Sequence, residues 1–178
     1  MADGVAIRPA VPGDENALGT IGAATFLDSS VEVIPGPDIV AHAQVAHAPA
    51  VYHGYLCHTD PRYACWLAEY AATGAPVGYA VTTAVEAPTI GDPEDIELKR
   101  IYVLSRFHGT GTGRELMIAT VQHARHLGAK RMLLGTYDQN HRAVAFYRRA
   151  GFTQIGTRQF QVGDQVFDDI VMALDLTG

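Results

Sequence analysis

The stretch Val103-Leu-Ser-Arg-Phe-His-Gly-Thr-Gly-Thr-Gly-Arg-Glu-Leu116 carries three alternating glycines between a β-prone segment and a helical one. Glycine has no Cβ atom, so neighbouring backbone N–H groups can converge on a ligand. Such amides, together with the positive end of the following helix, form a site for a phosphate or pyrophosphate. A structural turn would need only one or two of these glycines. We therefore predict an anion site at Gly109, Gly111 and Gly113.

Two common phosphate-binding loops do not fit this stretch. The dinucleotide fingerprint Gly-x-Gly-x-x-Gly requires a third glycine where the chain has Arg114, if the motif starts at Gly109. If it starts at Gly111, the third glycine falls on Leu116. A nucleotide-hydrolysing loop requires Gly-Lys-Ser/Thr, which the sequence lacks. Hydride transfer and nucleotide hydrolysis are therefore disfavoured.

The segments on both sides of this loop alternate between strand and helix patterns. Asp14 can cap a first helix, a second helical stretch starts at Asp38, and Pro49 should kink or end it. Asn140 can cap a later helix that Gly151 ends. Strands are predicted at 5–8, 63–70, 77–85, 96–104, 131–137, 152–162 and 166–176, and a further helix at 113–127. This order predicts one mixed α/β domain over residues 1–178.

Composition and charge bound the class of protein. The 178 residues are 48% hydrophobic and 18% charged, which is typical of a globular chain with its own core. Two cysteines are too few for a disulfide framework, and the N-terminus lacks the pattern of a signal peptide. The longest uncharged run, 39–59, contains four histidines and a proline, which argues against a membrane span. We expect a soluble, cytoplasmic protein with no membrane partner.

The net charge of −6 is unevenly distributed along the chain. Residues 1–97 carry two basic and thirteen acidic groups, residues 98–158 eleven basic and two acidic, and residues 159–178 four acidic. A basic segment attracts phosphates, and acidic flanks attract a cation. Blocks in a sequence need not form patches on a surface, so this interpretation stays open.

Two motifs in this order resemble the GNAT superfamily of N-acetyltransferases. Arg106-x-x-Gly109-x-Gly111 after a strand is similar to that family's acetyl-coenzyme A signature. The later run Asn140-His-Arg-Ala-Val-Ala-Phe-Tyr-Arg-Arg-Ala-Gly-Phe152 resembles its second motif. The bacterial spermidine/spermine acetyltransferase-like branch is the most similar one, on the run 97–103, Phe160, Gly163-Asp164 and 169–172.

The resemblance implies a fold and a set of cofactor contacts. The fold would have a mostly antiparallel sheet of six or seven strands, splayed at the cofactor strand and flanked by about four helices. Acetyl-CoA would be the cosubstrate, and Asn140 would contact it or order its arm. Tyr147 would lie near the thioester sulfur as general acid. The pantetheine arm would meet the backbone of Ile101, Tyr102 and Val103, and the pyrophosphate that of Gly109, Thr110, Gly111, Thr112, Gly113 and Arg114.

The resemblance also implies acetyl transfer to a primary amine by direct attack in a ternary complex. An alkyl amine has a pKa near 10.4, so freeing its lone pair at pH 7 costs roughly 4–5 kcal/mol. Glu97 is the candidate base, because strand alternation places 97, 99, 101 and 103 on one face. The alternatives are an exposed strand carboxylate for Glu97 and a core tyrosine with a satisfied hydroxyl for Tyr147.

The acceptor is left open by the sequence. A small cationic amine such as a polyamine is the first candidate, and an amino acid, an aminoglycoside-like amine or a protein N-terminus are the others. A non-catalytic CoA-binding module is the alternative from another class, and a homodimer through the C-terminal hairpin is expected. No metal is expected, since His42, His47, His53 and His58 lack paired ligand spacing. No nucleic-acid partner is expected, because no basic run with interleaved aromatic residues occurs.

Overall fold

The computed structural model describes residues 4–85 and 91–177, and the predicted alternation of strands and helices is confirmed there. Most observed boundaries of strands and helices lie within one residue of the predicted boundaries. The strands are β1 (Val5–Pro9), β2 (Ala64–Tyr70), β3 (Ala75–Ala84), β4 (Ile96–Val103), β5 (Arg131–Tyr137), β6 (Thr153–Val162) and β7 (Gln165–Asp175). The helices are α1 (Glu15–Ser30), α2 (Gly36–Ala46), α3 (Pro49–Leu56), α4 (Thr112–His126) and α5 (His141–Arg149).

All seven strands form one sheet in the order β1-β2-β3-β4-β5-β7-β6. Neighbours are antiparallel except β4 and β5, which run parallel. Only two residue pairs join these parallel strands, Ile96 with Met132 and Glu97 with Leu133. The rest of β4 diverges from β5, which opens a wedge in the middle of the sheet. This confirms the mostly antiparallel sheet of seven strands, splayed at the predicted cofactor strand.

A β-bulge in β4 corrects the predicted alternation of side chains. Val81 of β3 pairs with Arg100 and Thr82 pairs with Leu98, so Lys99 is the extra residue. Side chains before and after the bulge therefore exchange faces. Glu97 shares a face with Arg100 and Tyr102, and the prediction that it lies with 99, 101 and 103 is wrong.

The two faces of the sheet carry separate halves of the core. The face with Glu97 also holds Tyr79 and Val81, which pack with α1 and α3 through Leu18 and Tyr52. The opposite face packs on α4 and α5. Its buried members include Ile96, Leu98, Met117, Ala124, Met132, Leu134, Val144 and Tyr147. The sequence thus places its cofactor helices on one side of the sheet and α1 to α3 on the other.

Two local details refine the sequence prediction. Of the two outcomes predicted at Pro49, a kink or an end, the helix ends: α2 stops at Ala46 and Pro49 begins α3, a position that suits proline because its missing N–H has no helical partner there. Asp14 occupies the N-cap of α1, but its carboxylate accepts hydrogen bonds from the Arg8 guanidinium at 2.7 and 2.9 Å instead of capping. Among the helices within the described ranges, none has the length and apolar character needed to cross a bilayer.

Candidate active site

The glycine loop before α4 has the geometry of an anion cradle. Gly109 and Gly111 have φ of +81° and +92°, left-handed conformations that favour glycine. A Cβ at either position would meet no atom within 4 Å, so backbone conformation rather than crowding requires these glycines. The first helical bond runs from the Glu115 N–H to the Gly111 carbonyl at 3.0 Å. The N–H groups of 112–114 therefore have no acceptor within the helix and suit a diphosphate.

Two threonines hold this loop in shape. The Thr110 hydroxyl donates to the Phe107 carbonyl at 2.7 Å and lies 2.8 Å from the hydroxyl of Thr112. Thr112 is fully buried as the first residue of α4. The side chains of Arg106 and Arg114 are exposed on the same loop and helix start. The loop thus combines free amides with two cations, as a phosphate site requires.

The backbone of Ile101, Tyr102 and Val103 borders the wedge. These residues pair with β3 on one side, whereas the ladder to β5 has already ended at Glu97. Backbone groups that face away from β3 are therefore accessible from the wedge, as contacts to an extended pantetheine arm require. The Val103 carbonyl lies 2.7 Å from Nε2 of His108, so this histidine competes for one of the predicted contacts.

Tyr147 lies on α5 with its ring packed in the core. It is 9% exposed, and its ring centroid is 5.4 Å from that of Phe146 and 6.0 Å from that of Phe152. Burial raises the pKa of the Tyr147 hydroxyl, and the nearby Tyr102 hydroxyl adds to the shift. The phenol therefore stays protonated at neutral pH. Helix α5 is fixed by Asn140, whose Oδ1 accepts from the Ala143 N–H at 3.1 Å, as a cap requires.

Glu97 is not an exposed strand carboxylate. Its side chain is 4% exposed, and Oε1 accepts a hydrogen bond from Nη1 of Arg158 at 3.3 Å. The other oxygen, Oε2, is buried without a hydrogen-bond partner. A buried carboxylate with one oxygen unpaired is suited to accept a proton or a hydrogen bond from a ligand.

Arg158 and Asp169 are site residues that the sequence prediction missed. Nε of Arg158 lies 3.5 Å from Oδ2 of Asp169, and Asp169 is only 6% exposed. Burial raises the pKa of Asp169, and Arg158 opposes that shift. A signal for this pair existed, since a hairpin centred on Gly163-Asp164 sets position 158 opposite 169. The contact of Arg158 with Glu97 had no such signal.

The unpaired polar atoms of the described chain cluster on one face. Four buried side-chain atoms there have no hydrogen-bond partner: Tyr79 Oη, Thr83 Oγ1, Glu97 Oε2 and Arg100 Nη1. Between β3 and β4, Thr83 pairs with Glu97 and Tyr79 pairs with Tyr102. This pairing places all four unpaired atoms on the face of the sheet that packs against α1 and α3. Buried polar groups normally have hydrogen-bond partners, so these atoms are suited to bind a polar ligand or ordered water.

The histidines of the segment 42–58 divide into two that pack against the core, His42 and His47, and two that are exposed, His53 and His58. His47 is 6% exposed, its Nδ1 lies 2.8 Å from the Tyr52 hydroxyl, and burial lowers its pKa to about 3. His42 packs between Phe26 and Phe160 with ring centroids 4.6 and 6.1 Å away. Over residues 4–85 and 91–177, no three His, Cys, Asp or Glu side chains are grouped to hold a metal ion.

A cavity of about 560 Å³ lies elsewhere, between β1, β2 and α4. Its lining includes Trp66, Glu115 and His123 and none of the predicted cofactor or catalytic residues. Its position between the edge strands and α4 separates it from the wedge between β4 and β5. The predicted cofactor and catalytic residues therefore lie outside this cavity.

Comparisons with known proteins agree with this geometry. The model of the acetyltransferase (GNAT) family matches residues 36–152. An uncharacterized N-acetyltransferase of Mycobacterium tuberculosis is 34% identical over 163 residues, 92% of this chain and 98% of the relative. The spermine/spermidine N(1)-acetyltransferase of Bacillus subtilis is 33% identical over 70 residues, 39% of this chain and 45% of the relative.

Among solved structures, the PaiA N-acetyltransferase of Thermoplasma acidophilum in complex with coenzyme A is similar in fold. The TM-score is 0.77 over 96% of this chain and 98% of the other, at 15% identity. At such low identity, the likeness concerns the fold alone. Coenzyme A is bound by that protein, and the glycine loop of this chain has the free amides that such a ligand needs.

Proposed function

The chain belongs to the acetyltransferase (GNAT) family, and on that premise we propose that it acetylates a small cationic primary amine in a ternary complex. It is an acyl-CoA-dependent N-acetyltransferase with acetyl-CoA as cosubstrate. When bound, acetyl-CoA supplies an acetyl group activated as a thioester. The amides of the glycine loop would hold its pyrophosphate, and the backbone of 101–103 would hold its pantetheine arm.

Glu97 is the proposed proton acceptor for the amine. The observation that carries this role is its buried carboxylate, in which Oε2 has no hydrogen-bond partner. Glu97 also belongs to the last residue pair between β4 and β5, at the point where the two strands diverge. A carboxylate in hydrogen-bond reach of an ammonium, directly or through one water, lowers the barrier to deprotonation. The neutral amine can then attack the acetyl carbon.

Tyr147 is the proposed proton donor to the departing thiolate. Its ring is fixed by the core, and burial raises the pKa of its hydroxyl, so it carries a proton at neutral pH. Asn140, as the cap of α5, would fix the helix that carries Tyr147.

Charge in the wedge supports a cationic acceptor. Glu97 and Asp169 share one guanidinium, that of Arg158, so the buried group carries one net negative charge when both carboxylates are ionised. Asp28 on α1 and Glu32 after it add exposed carboxylates, and Asp38 on α2 adds a half-buried one. The partial similarity to the polyamine enzyme of Bacillus subtilis points the same way. A polyamine is therefore our first candidate.

An amine that also carries a carboxylate, such as an amino acid, is the second candidate. Arg100 favours it, because its Nη1 is buried without a partner on the face that holds Glu97. Its Nη2 donates to the Ala46 carbonyl at 2.9 Å, and its guanidinium carbon lies 5.5 Å from the centre of the Tyr52 ring. A guanidinium in this position can pair with an anionic group of a substrate.

Two further parts of this proposal concern the oligomeric state and the cellular compartment. The exposed side chains of Phe160 and Val166, 40% and 55% exposed on the β6–β7 hairpin, support a homodimer through that hairpin. Sedimentation of the wild type and a Phe160→Ser, Val166→Ser variant would test it. Cys57 and Cys65 are both free thiols, which suits the reducing cytoplasm.

A thiol-release assay with a panel of amines tests the proposal. Spermidine, spermine, several amino acids, an aminoglycoside and a peptide would each be offered with acetyl-CoA. Preference for polyamines supports the cationic acceptor, and preference for amino acids supports the second candidate. Tight acetyl-CoA binding without turnover of any amine would contradict catalysis and favour a CoA-binding sensor.

A further inference from the structure

Arg158 joins two buried carboxylates that belong to different strands. Its Nη1 lies 3.3 Å from Oε1 of Glu97 on β4, and its Nε lies 3.5 Å from Oδ2 of Asp169 on β7. The side chains of Glu97 and Asp169 are 4% and 8% exposed, whereas that of Arg158 is 31% exposed. Buried carboxylates are unfavourable unless they are paired. Both therefore depend on a single guanidinium that solvent can partly reach.

Gly135 on β5 provides the space that this guanidinium occupies. A Cβ built on Gly135 would overlap three atoms of the Arg158 guanidinium group. The backbone of Gly135 is not left-handed, so its conformation alone does not require glycine. The side chain of Arg158 thus crosses the sheet surface at the one position of β5 where no side chain obstructs it.

The Arg158 contact leaves Glu97 with one oxygen held and one free. Oε1 receives the guanidinium N–H, whereas Oε2 is buried and has no partner. A carboxylate fixed at one oxygen keeps the other in a defined direction, as a base that must meet a substrate requires. Removal of Arg158 would free both oxygens and the rotation of the side chain.

The surroundings of Glu97 carry few other charges. Thr83 faces it from β3, and Asp169 on β7 is accompanied by Asp138, which follows β5 and raises the pKa of Asp169 further. Arg100 and Tyr102 share its face on β4 beyond the bulge. Arg158 is therefore the cation that directly opposes the repulsion between the carboxylates.

We propose that Arg158 is a positioning residue for acetyl transfer, which fixes the Glu97 carboxylate through Oε1 and presents Oε2 to the acceptor amine. The inference rests on the proposed function, in which Glu97 receives the amine proton. Gly135 and Asp169 complete the arrangement, the first by making room for the guanidinium and the second by anchoring its Nε. Arg158 itself need not touch the substrate.

Two variants disturb this arrangement in different ways. Arg158→Gln removes the charge, and Gly135→Ala keeps the arginine but displaces its flexible end, which the fold should tolerate. Each should lower kcat/KM at least about tenfold, mainly through kcat, because the base loses its fixed direction. Arg158→Lys should retain part of the activity. The matched controls are Arg125→Gln and Gly54→Ala, both exposed and away from the wedge.

A second readout separates this inference from the proposed function. In the free protein, carbon-13 NMR of labelled aspartate carboxyls should show Asp169 titrating at higher pH in Arg158→Gln and Gly135→Ala than in the wild type. Unchanged titration of Asp169, an unchanged kcat in an active enzyme, or a higher kcat/KM would each overturn the positioning role. A wild type that acetylates no amine would instead contradict the proposed function.

Discussion

Replacing Tyr147 with phenylalanine isolates the chemistry of one hydroxyl from the packing of its ring. The ring lies among Phe146 and Phe152 in the core, and phenylalanine fills the same volume. The substitution therefore keeps the ring contacts and removes only the hydroxyl. The free energy of unfolding should change by no more than the worth of one hydrogen bond, about 1.5 kcal/mol.

The effect on catalysis should be much larger. A positioned general acid contributes about 10²–10⁴ in rate, so kcat of Tyr147→Phe should fall at least about 100-fold. That loss corresponds to about 2.7 kcal/mol of transition-state stabilisation. Because burial raises the pKa of Tyr147 above that of an ordinary tyrosine, the residue stays protonated between pH 6 and 9. The loss should be constant over that range.

The assay is steady-state thiol release with saturating acetyl-CoA and the best amine, beside calorimetric acetyl-CoA binding and thermal melting. Tyr70→Phe on β2, at an exposed position, is the matched control and should behave as the wild type. A kcat of Tyr147→Phe within threefold of the wild type would refute the proton-donor role. A large fall in melting temperature would show that the hydroxyl is structural.

Three other perturbations follow from the structure. Glu97→Gln should lower kcat/KM at least about tenfold while acetyl-CoA affinity stays within twofold, and a smaller kinetic loss would count against the base role. Gly111→Ala must place a Cβ on a residue with φ of +92°, which costs a backbone strain of about 1–2 kcal/mol. Calorimetry should therefore show that acetyl-CoA binds about tenfold more weakly to Gly111→Ala, whereas Gly36→Ala should bind it as the wild type does. His47 has its pKa lowered to about 3 by burial, whereas the unfolded histidine titrates near 6.5, so only the unfolded state gains a proton as the pH falls from 7 to 5. Urea unfolding should therefore show a loss of about 2 kcal/mol over that interval in the wild type, and an undiminished loss in His47→Gln would exclude this histidine as its source.

The parts of the site that are local in sequence were predictable. The glycine loop before α4 and the asparagine cap of α5 depend on a few consecutive residues, and both occur where the sequence places them. The family motifs rest on the same local spacing. The order of strands and helices also follows from local patterns, since each element has its own period of apolar residues.

The orientation of Glu97 was not predictable because it depends on a bulge. Lys99 is extra only in relation to the pairing of β4 with Val81 and Thr82, a long-range property of the sheet. The contact between Arg158 and Glu97 spans 61 residues and requires the order β4-β5-β7-β6. Likewise, the Arg8 guanidinium donates hydrogen bonds to the carboxylates of Asp14 and Glu69. The sequence pattern of a helix cap does not show that Asp14 binds this arginine instead.

We expect this chain to move an acetyl group from acetyl-CoA to an amine nitrogen. The most direct test is to incubate the wild type with acetyl-CoA and spermidine and to quantify free coenzyme A and N-acetylated product by mass spectrometry. One acetylated amine should form for each thiol released, and both should be lost together in Tyr147→Phe. Thiol release without acetylated amine, in this reaction and with every other amine of the panel, would contradict it.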